Sequence, residues 1–372
     1  MYKTTGRPFV RSQNVGWGEL RLDDLAYIDD VTHTTFPATE IRAGDVLLNI
    51  TGASIGRSAV ATPELDGGNV NQHVCEIRLK RGVMEPRYVC AVLNSRIGQN
   101  QIDAFQAGGN RQGLNFQQVG SIRVPAFDFR HQRSIGVALQ DADELISRLE
   151  RLIAKKQAIK HGMMQQLLTG KTRLPGFTGK WDAKPLSEDI TLVSGHHVLA
   201  QYCNMRGYGV PYLTGPSDFP DGRIRQTKFT DKPKSLCHAN DLLLTVKGSG
   251  AGTLIQADAS YCISRQLMAI RPKEWDSRFL FYSLLQNASN IKDAVTGLIP
   301  GLSRSDVLNQ TIPVPPVGEQ RAIAAVLSDM DEELDSLDAC LEKTRDIKQG
   351  MMQQLLTGRI RLVKPEQAEV NA

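Results

Sequence analysis

The chain predicts an α+β protein written twice: two β-rich portions joined by two long antiparallel helices, with internal pseudo-twofold symmetry. Three observations carry that expectation. The nonapeptide GMMQQLLTG stands at residues 162–170 and again at 350–358, 188 positions later. Each copy closes a long heptad-like apolar stripe. Ahead of each stripe lie short apolar runs of strand character. At 372 residues and 41% hydrophobic content, the chain is long for one core and sufficient for two.

The first portion, residues 1–128, holds strand-like DVLLNI, HVCEIRL and SIRVPA and a helical EPRYVCAVLNSRI. A helix is predicted over 129–170. Ile135, Leu139, Ala142, Ile146, Leu149 and Ile153 step by 4, 3, 4, 3 and 4, and Ile159, Met163 and Leu167 follow. Residues 171–314 repeat the β-rich pattern with DLLLTV, LMAIR and TIPVP and a helical SRFLFYSLLQNAS. The second helix, over 315–360, places Ile323, Leu327, Met330, Leu334, Leu337, Leu341, Ile347, Met351 and Leu355 at the matching positions. Residues 361–372 read as a flexible tail. Pro315 and Pro316 set up the start of the second helix, and Gly170 and Gly358 stand where a C-terminal cap belongs.

About 39 residues at ~1.5 Å each give a rod of roughly 58 Å. A domain of about 125 residues has a radius of gyration of only ~14 Å, so the rod needs a partner other than its own domain, and the other rod supplies it. The first helix leads away from the first portion and the second starts at the second portion, so pairing makes them antiparallel. Each nonapeptide then abuts the domain of the other copy.

Sliding the chain on itself by 188 also superposes Gly113 on Gly301, Val119 on Val307, Pro125 on Pro313 and Gln132 on Gln320. Further back the offset drifts. NQHVCEIR (71–78) meets SRQLMAIR (264–271), RYVCAVLNSR meets RFLFYSLLQN, and GDVLLNITG (44–52) meets NDLLLTVKG. Residues 175–203, including WDAKPLSEDITLVSGHHV, have no partner before Met1, so the first portion is expected to lack an opening segment that the second has.

The net charge of +4 and pI near 8.7 permit nucleic-acid binding without requiring it. Six cysteines without CxxC or Cys/His spacing point to free buried thiols in a reducing cytoplasm. His196 and His197 read as solvated loop residues, and no metal is expected. No signal-like or membrane-spanning run is present, so the protein is expected to be cytoplasmic. LLTGKT at Leu167 ends like a Walker A loop, but Gln165 occupies the glycine place, and the second copy has Arg359 and Ile360 for Lys171 and Thr172. GSGAG (248–252) is a lone glycine turn whose counterpart GASIG (52–56) suggests close backbone approach, not a dinucleotide site. No methyltransferase tetrapeptide, nuclease core or catalytic triad spacing appears, and no catalytic residue is assigned.

Duplicated α+β portions alternating with two long helices, PVPPVGEQRAIAAVL opening the second helix, and MMQQLLTGK or MMQQLLTGR closing each, resemble the specificity subunit of type I restriction-modification enzymes. The resemblance covers nearly the whole chain. In the first copy only Pro125, Gln132 and Arg133 keep the opening signature. The resemblance implies a non-catalytic DNA-recognition subunit whose two target recognition domains read the halves of a split double-stranded DNA sequence. It also implies helices that fix the unread spacer and dock two methyltransferase subunits, with restriction subunits joining them. S-adenosylmethionine, ATP and Mg²⁺ are then expected on those partners, and no cofactor on this chain. Heads held by a ~58 Å rod can sit one to two turns apart on B-DNA, whose turn is ~34 to 36 Å.

Phosphate contact calls for Lys and Arg, and base reading for Asn, Gln and Arg. The candidates in the first portion are Asn71, Gln72 and His73 ahead of a strand, and Asn110, Arg111 and Gln112 in a glycine-flanked loop. In the second they are Lys247, Arg265 and Gln266, with Ser303 and Arg304, and Arg223, Arg225 and Lys228 in the basic stretch RIRQTKF. The alternative function is a non-DNA-binding protein-interaction scaffold assembled through the helical spine.

Overall fold

The computed structural model describes residues 2–106, 113–248, 250–287 and 301–362. Two compact units emerge, one of Met1–Leu152 with Asp338–Ala372 and one of Ile153–Leu337. The long helices run over Phe129–Leu167 and Val317–Leu355, 39 residues each. Both units take a share of both helices, so each combines one β-rich portion with a two-helix segment.

In unit 1 the apolar run Val46–Asn49 forms the middle strand of an antiparallel sheet, between Ser58–Val60 and Val74–Ile77. A second small sheet sets Arg7–Val10 between Ala26–Ile28, antiparallel, and Asn69–Val70, parallel. In unit 2 the counterpart Leu242–Thr245 lies between Leu254–Gln256 and Leu267–Pro272, and Ile190–Ser194 adds a fourth strand. A separate pair joins Thr311–Val314 to Asp182–Pro185. The residues 175–203 that have no counterpart in the first copy thus supply two strands to unit 2. In unit 1 the matching places, Val74–Ile77 on its outer side and residues 123–126, have no strand beside them among the described residues.

The ends of the nonapeptides are core. Leu355 and Leu356 pack in unit 1 with Tyr88, Val92, Ile135 and Leu139. Leu167 and Leu168 pack in unit 2 with Phe279, Leu280, Ile323 and Leu327. Gly170 and Gly358 both adopt positive φ, and a Cβ would meet the Trp181 ring at 3.3 Å or the Phe127 ring at 3.0 Å. The same structural demand acts at both sites, so the same sequence recurs.

The helices are antiparallel within each unit. In unit 1 Asp143 pairs with Lys348, and Glu150 with Arg345 at 2.6 Å. In unit 2 Lys156 pairs with Glu333 at 2.6 Å, and Lys160 with Asp331. Position numbers rise along one helix as they fall along the other. The predicted stripe holds at Ile135, Leu139, Leu149, Ile153, Ile323, Leu327, Leu334 and Leu341, all buried, with Ile146 and Leu337 half-buried. It fails at Ile159 and Ile347, which are 45% and 52% exposed. Steps of three and four from Ile153 land on Lys156 and Lys160, and those from Leu341 on Thr344 and Lys348. Helical phase therefore carries polar residues into the seam and turns the isoleucines outward.

A buried glutamine fixes each helix start. Gln132 Oε1 accepts from the Glu85 amide at 3.0 Å, and its Nε2 donates to the carbonyls of Val83 and Phe127. Gln320 repeats this, accepting from the Asp276 amide at 2.8 Å and donating to the Pro315 carbonyl. The first helix lacks the proline pair, and the Asp128 side chain caps the His131 amide at 2.8 Å instead. One residue earlier than the glutamine the copies diverge. Fully buried Glu319 accepts from Arg173 Nη2 at 2.6 Å and Trp181 Nε1 at 3.1 Å, whereas buried His131 has no partner for either ring nitrogen among the described residues.

All six thiols are free. Four are buried, but Cys203 is half-buried and Cys340 exposed, against the expectation of buried thiols throughout.

Candidate nucleic-acid interface

Each unit presents one turn, built the same way, between strands of two sheets: Asn69–Val70 leads into Val74–Ile77 in unit 1, and Tyr261–Ile263, a strand of a five-stranded sheet, leads into Leu267–Pro272 in unit 2. In unit 1 it is Asn71, Gln72 and His73, in unit 2 Ser264, Arg265 and Gln266. The Asn71 amide donates to the Val10 carbonyl at 3.0 Å, Val74 to Asn71 at 3.1 Å, Ile50 to His73 at 2.9 Å and Leu114 to Ile50 at 2.8 Å. The Ser264 amide donates to Leu213 at 2.9 Å, Leu267 to Ser264 at 2.9 Å, Val246 to Gln266 at 2.8 Å and Leu302 to Val246 at 2.9 Å. The first side chain closes the turn in both: Asn71 Oδ1 accepts the His73 amide at 3.1 Å, and Ser264 Oγ the Gln266 amide at 3.2 Å. Thr51 bridges to Gly113 just as Lys247 bridges to Gly301. Gly52, Gly56, Gly248 and Gly252 all take positive φ beside these turns; a Cβ on Gly52 or Gly248 would meet nothing, so the left-handed backbone, not the close approach expected from the sequence, calls for glycine there.

Matching hydrogen-bond frames carry different side chains. In unit 1 Gln72 is exposed and its Nε2 lies 3.3 Å from His73 Nε2, while His73 Nδ1 sits 2.6 Å from Thr51 Oγ1. In unit 2 Arg265, Gln266 and Lys247 are all exposed, and Ser264 faces inward to donate to the Thr214 carbonyl at 2.7 Å. Gln72 and Gln266 thus offer amide edges, Arg265 a guanidinium edge and Lys247 an ammonium group to solvent from a hydrogen-bonded frame. Thr51 and Thr214 are absent from the sequence-derived candidates. Thr51 was legible as the aligned partner of Lys247 at the end of the matched strand, whereas Thr214 carried no signal beyond following the aligned VPYL.

The Asp218 side chain accepts from Thr214 Oγ1 at 2.7 Å and Thr227 Oγ1 at 3.4 Å, and its carbonyl from the Arg225 amide at 2.7 Å. These bonds tie the basic stretch to the same end of unit 2 as the turn. Within that stretch Arg225 is exposed, Lys228 is half-buried, and exposed Arg223 reaches Asp335 on the second long helix at 3.4 Å.

Ser303 and Arg304 have structural work. Ser303 caps the short helix Arg304–Leu308, its Oγ accepting the Asp306 amide at 3.2 Å, and Arg304 Nη1 donates to the Leu192 carbonyl and Ser194 Oγ, both at 3.0 Å. They match Asn115 and Phe116, where Asn115 caps the helix Phe116–Ser121, and not the loop before Gly113. Asn110, Arg111 and Gln112 fall outside the described residues. Among the described residues no group of three His, Cys, Asp or Glu side chains could hold a metal ion, and no helix is long and apolar enough to cross a membrane.

Residues 180–343 match the family model described as the type I restriction modification DNA specificity domain. The putative type I restriction enzyme MjaX specificity subunit of Methanocaldococcus jannaschii is 24% identical over 96% of this chain and 88% of that protein. The MjaVIII specificity subunit of the same organism is 33% identical over 48% of this chain and 42% of its own length. The fold matches the type I restriction-modification S subunit from M. genitalium with a TM-score of 0.66 at 16% identity, over 95% of this chain and 90% of that one. The HsdS subunit from Thermoanaerobacter tengcongensis matches with a TM-score of 0.50 at 24% identity, over 96% and 91%.

Proposed function

We infer that this chain, a member of the specificity subunits of type I restriction-modification enzymes, reads a bipartite DNA target with the paired turns of its two units and leaves catalysis to its partners. The observation that carries the reading is the repeated turn. One hydrogen-bonded frame presents Asn71, Gln72 and His73 in unit 1 and Arg265, Gln266 and Lys247 in unit 2. A shared frame with unlike side chains suits two unlike half-sites, because geometry sets the approach and side-chain edges choose the base. Arg225, Lys228 and Arg223 are proposed phosphate contacts at the same end of unit 2, and residues 110–112 remain proposed readers in unit 1.

The long helices are the proposed docking rails for two methyltransferase subunits, which with the restriction subunits would carry S-adenosylmethionine, ATP and Mg²⁺. Exposed apolar side chains support this. Leu145 and Leu152 stand seven residues apart on the unit 1 share of the first helix, and Ile159 and Ile347 occupy matched places in the two copies. Heptad spacing of exposed apolar residues suits a partner helix.

The test is double replacement of Arg265 and Gln266 by alanine, assayed with the methyltransferase subunits on duplexes altered in one half-site at a time. Each good bidentate base contact contributes about 1–3 kcal/mol of discrimination, so discrimination at one half-site should fall roughly tenfold or more, with the other unchanged. Equal weakening on every sequence would reduce these residues to phosphate contacts. Absence of salt-dependent binding of the wild-type chain to duplex DNA would favour the scaffold reading.

A further inference from the structure

The two copies differ sharply at one place beside the long helices. The helices Pro86–Asn94 and Ser277–Gln286 are equivalent, since Glu85 and Asp276 are held by the matching glutamines. Six residues beyond those anchors stand Ala91 in unit 1 and Tyr282 in unit 2. Tyr282 is fully buried. Its hydroxyl donates to Asp331 Oδ2 at 2.6 Å and lies 3.3 Å from Ser328 Oγ, and Lys160 Nζ lies 5.5 Å from its ring centroid. Asp331, Ser328 and Lys160 correspond to Asp143, Gln140 and Lys348 in unit 1, where Lys348 pairs with Asp143 as Lys160 does with Asp331.

Unit 1 therefore keeps the polar end of a tyrosine site without the tyrosine. In its place is a groove of about 930 Å³, lined by Ala91, Gln140, Asp143, Lys348 and Met352 and rimmed by Trp17. Asp143 accepts from Lys348 through Oδ1, and Oδ2 has no hydrogen bond from the described residues. Trp17 is 48% exposed with Arg57 over its ring at 5.9 Å, an amphipathic rim of the kind that anchors protein contacts.

We propose that the unit 1 groove is the receptor for a tyrosine side chain of a partner protein, whose ring lies over Ala91 and whose hydroxyl donates to Asp143 beside Lys348. The partner is the methyltransferase subunit, because the groove is walled by Gln140 and Asp143 of the first long helix, the element proposed above for docking. That assignment rests on the proposed function, whereas the tyrosine chemistry rests on the comparison with unit 2. Unit 2 fills its own site and offers no such receptor, so the two docking positions are unequal.

The probes are p-cresol, which is the tyrosine side chain without its backbone, and toluene, which lacks the hydroxyl. The full chain should bind p-cresol at least tenfold more tightly than toluene by titration calorimetry, as a hydrogen bond to a charged acceptor implies. Ala91→Tyr should abolish that binding and weaken assembly with the methyltransferase subunit at least tenfold. Tyr282→Ala should open a second p-cresol site, so that p-cresol raises its unfolding temperature more than that of the wild type. This second variant guards against misfolding of the first. Equal binding of p-cresol and toluene, or p-cresol binding unaffected by Ala91→Tyr, would overturn the site. Loss of p-cresol binding with undiminished assembly would overturn the assigned partner. A wild-type chain that never assembles with the methyltransferase subunit would instead refute the functional reading and leave the phenol result standing.

Discussion

Glu76 sits in the main sheet of unit 1 where unit 2 has Ala269, and burial pushes its carboxyl up to about 7 from an ordinary 4.5. Arg78 opposes that shift from 3.5 Å, but its guanidinium is committed to Asp45 at 2.7 Å, and Glu76 Oε2 is buried without a partner. An acid with a raised folded pKa is easiest to bury when protonated. Its penalty is absent below about pH 4.5, grows as pH rises through 4.5 to 7, and is complete above 7. Glu76→Gln should therefore stabilise the chain by on the order of 1–3 kcal/mol at pH 8 and leave it nearly unchanged at pH 4.5. Thermal unfolding at the two pH values measures this, and equal effects at both would refute it. Asp45 and its counterpart Asp241 are the contrasting case, each buried and each met by an arginine, Arg78 or Arg271. Both aspartates and both arginines stand at matched places in the aligned strings, but only the structure shows that they pair. The roles of Ser303 and Arg304 were not, because a capping serine and a base-reading serine look alike without the helix that follows.

The long helices were the most legible elements, since 3.6-residue periodicity over many turns leaves little else the segment could be. Periodicity erred where apolar character and helical phase disagree. Ile159 and Ile347 are the apolar residues in the string, yet the inward positions belong to Lys156, Lys160 and Lys348, whose charges are met by acids on the opposite helix. Such half-exposed pairs contribute little each, about 0.2–1 kcal/mol, but they report orientation. Lys156→Glu should destabilise by roughly 0.5–1 kcal/mol through repulsion from Glu333, and adding Glu333→Lys should restore the loss. A denaturation series on the single and double variants decides this, and a double variant no better than the sum of its parts would argue against the antiparallel register.

At the scale of the whole chain, duplication makes the architecture visible in the sequence itself. The strings common to both copies mark what the frame requires: glutamine at the helix start, the leucine pair of the nonapeptide in the core, and the strand leading to the paired turn. What differs between the copies is where function is expected, and there the sequence offers residue types without geometry. Asn71 and Ser264 illustrate this: the sequences align them, but only the hydrogen bonds show that both close their turns. The most direct measurement is a map of modified bases in DNA from cells carrying this chain with its methyltransferase subunit, compared with a variant in which Lys247, Arg265 and Gln266 are alanine. The account predicts a two-part motif with a fixed unread gap, and in the variant a relaxed sequence on one side only with gap and opposite side intact. A contiguous motif, or a change on both sides, would contradict it.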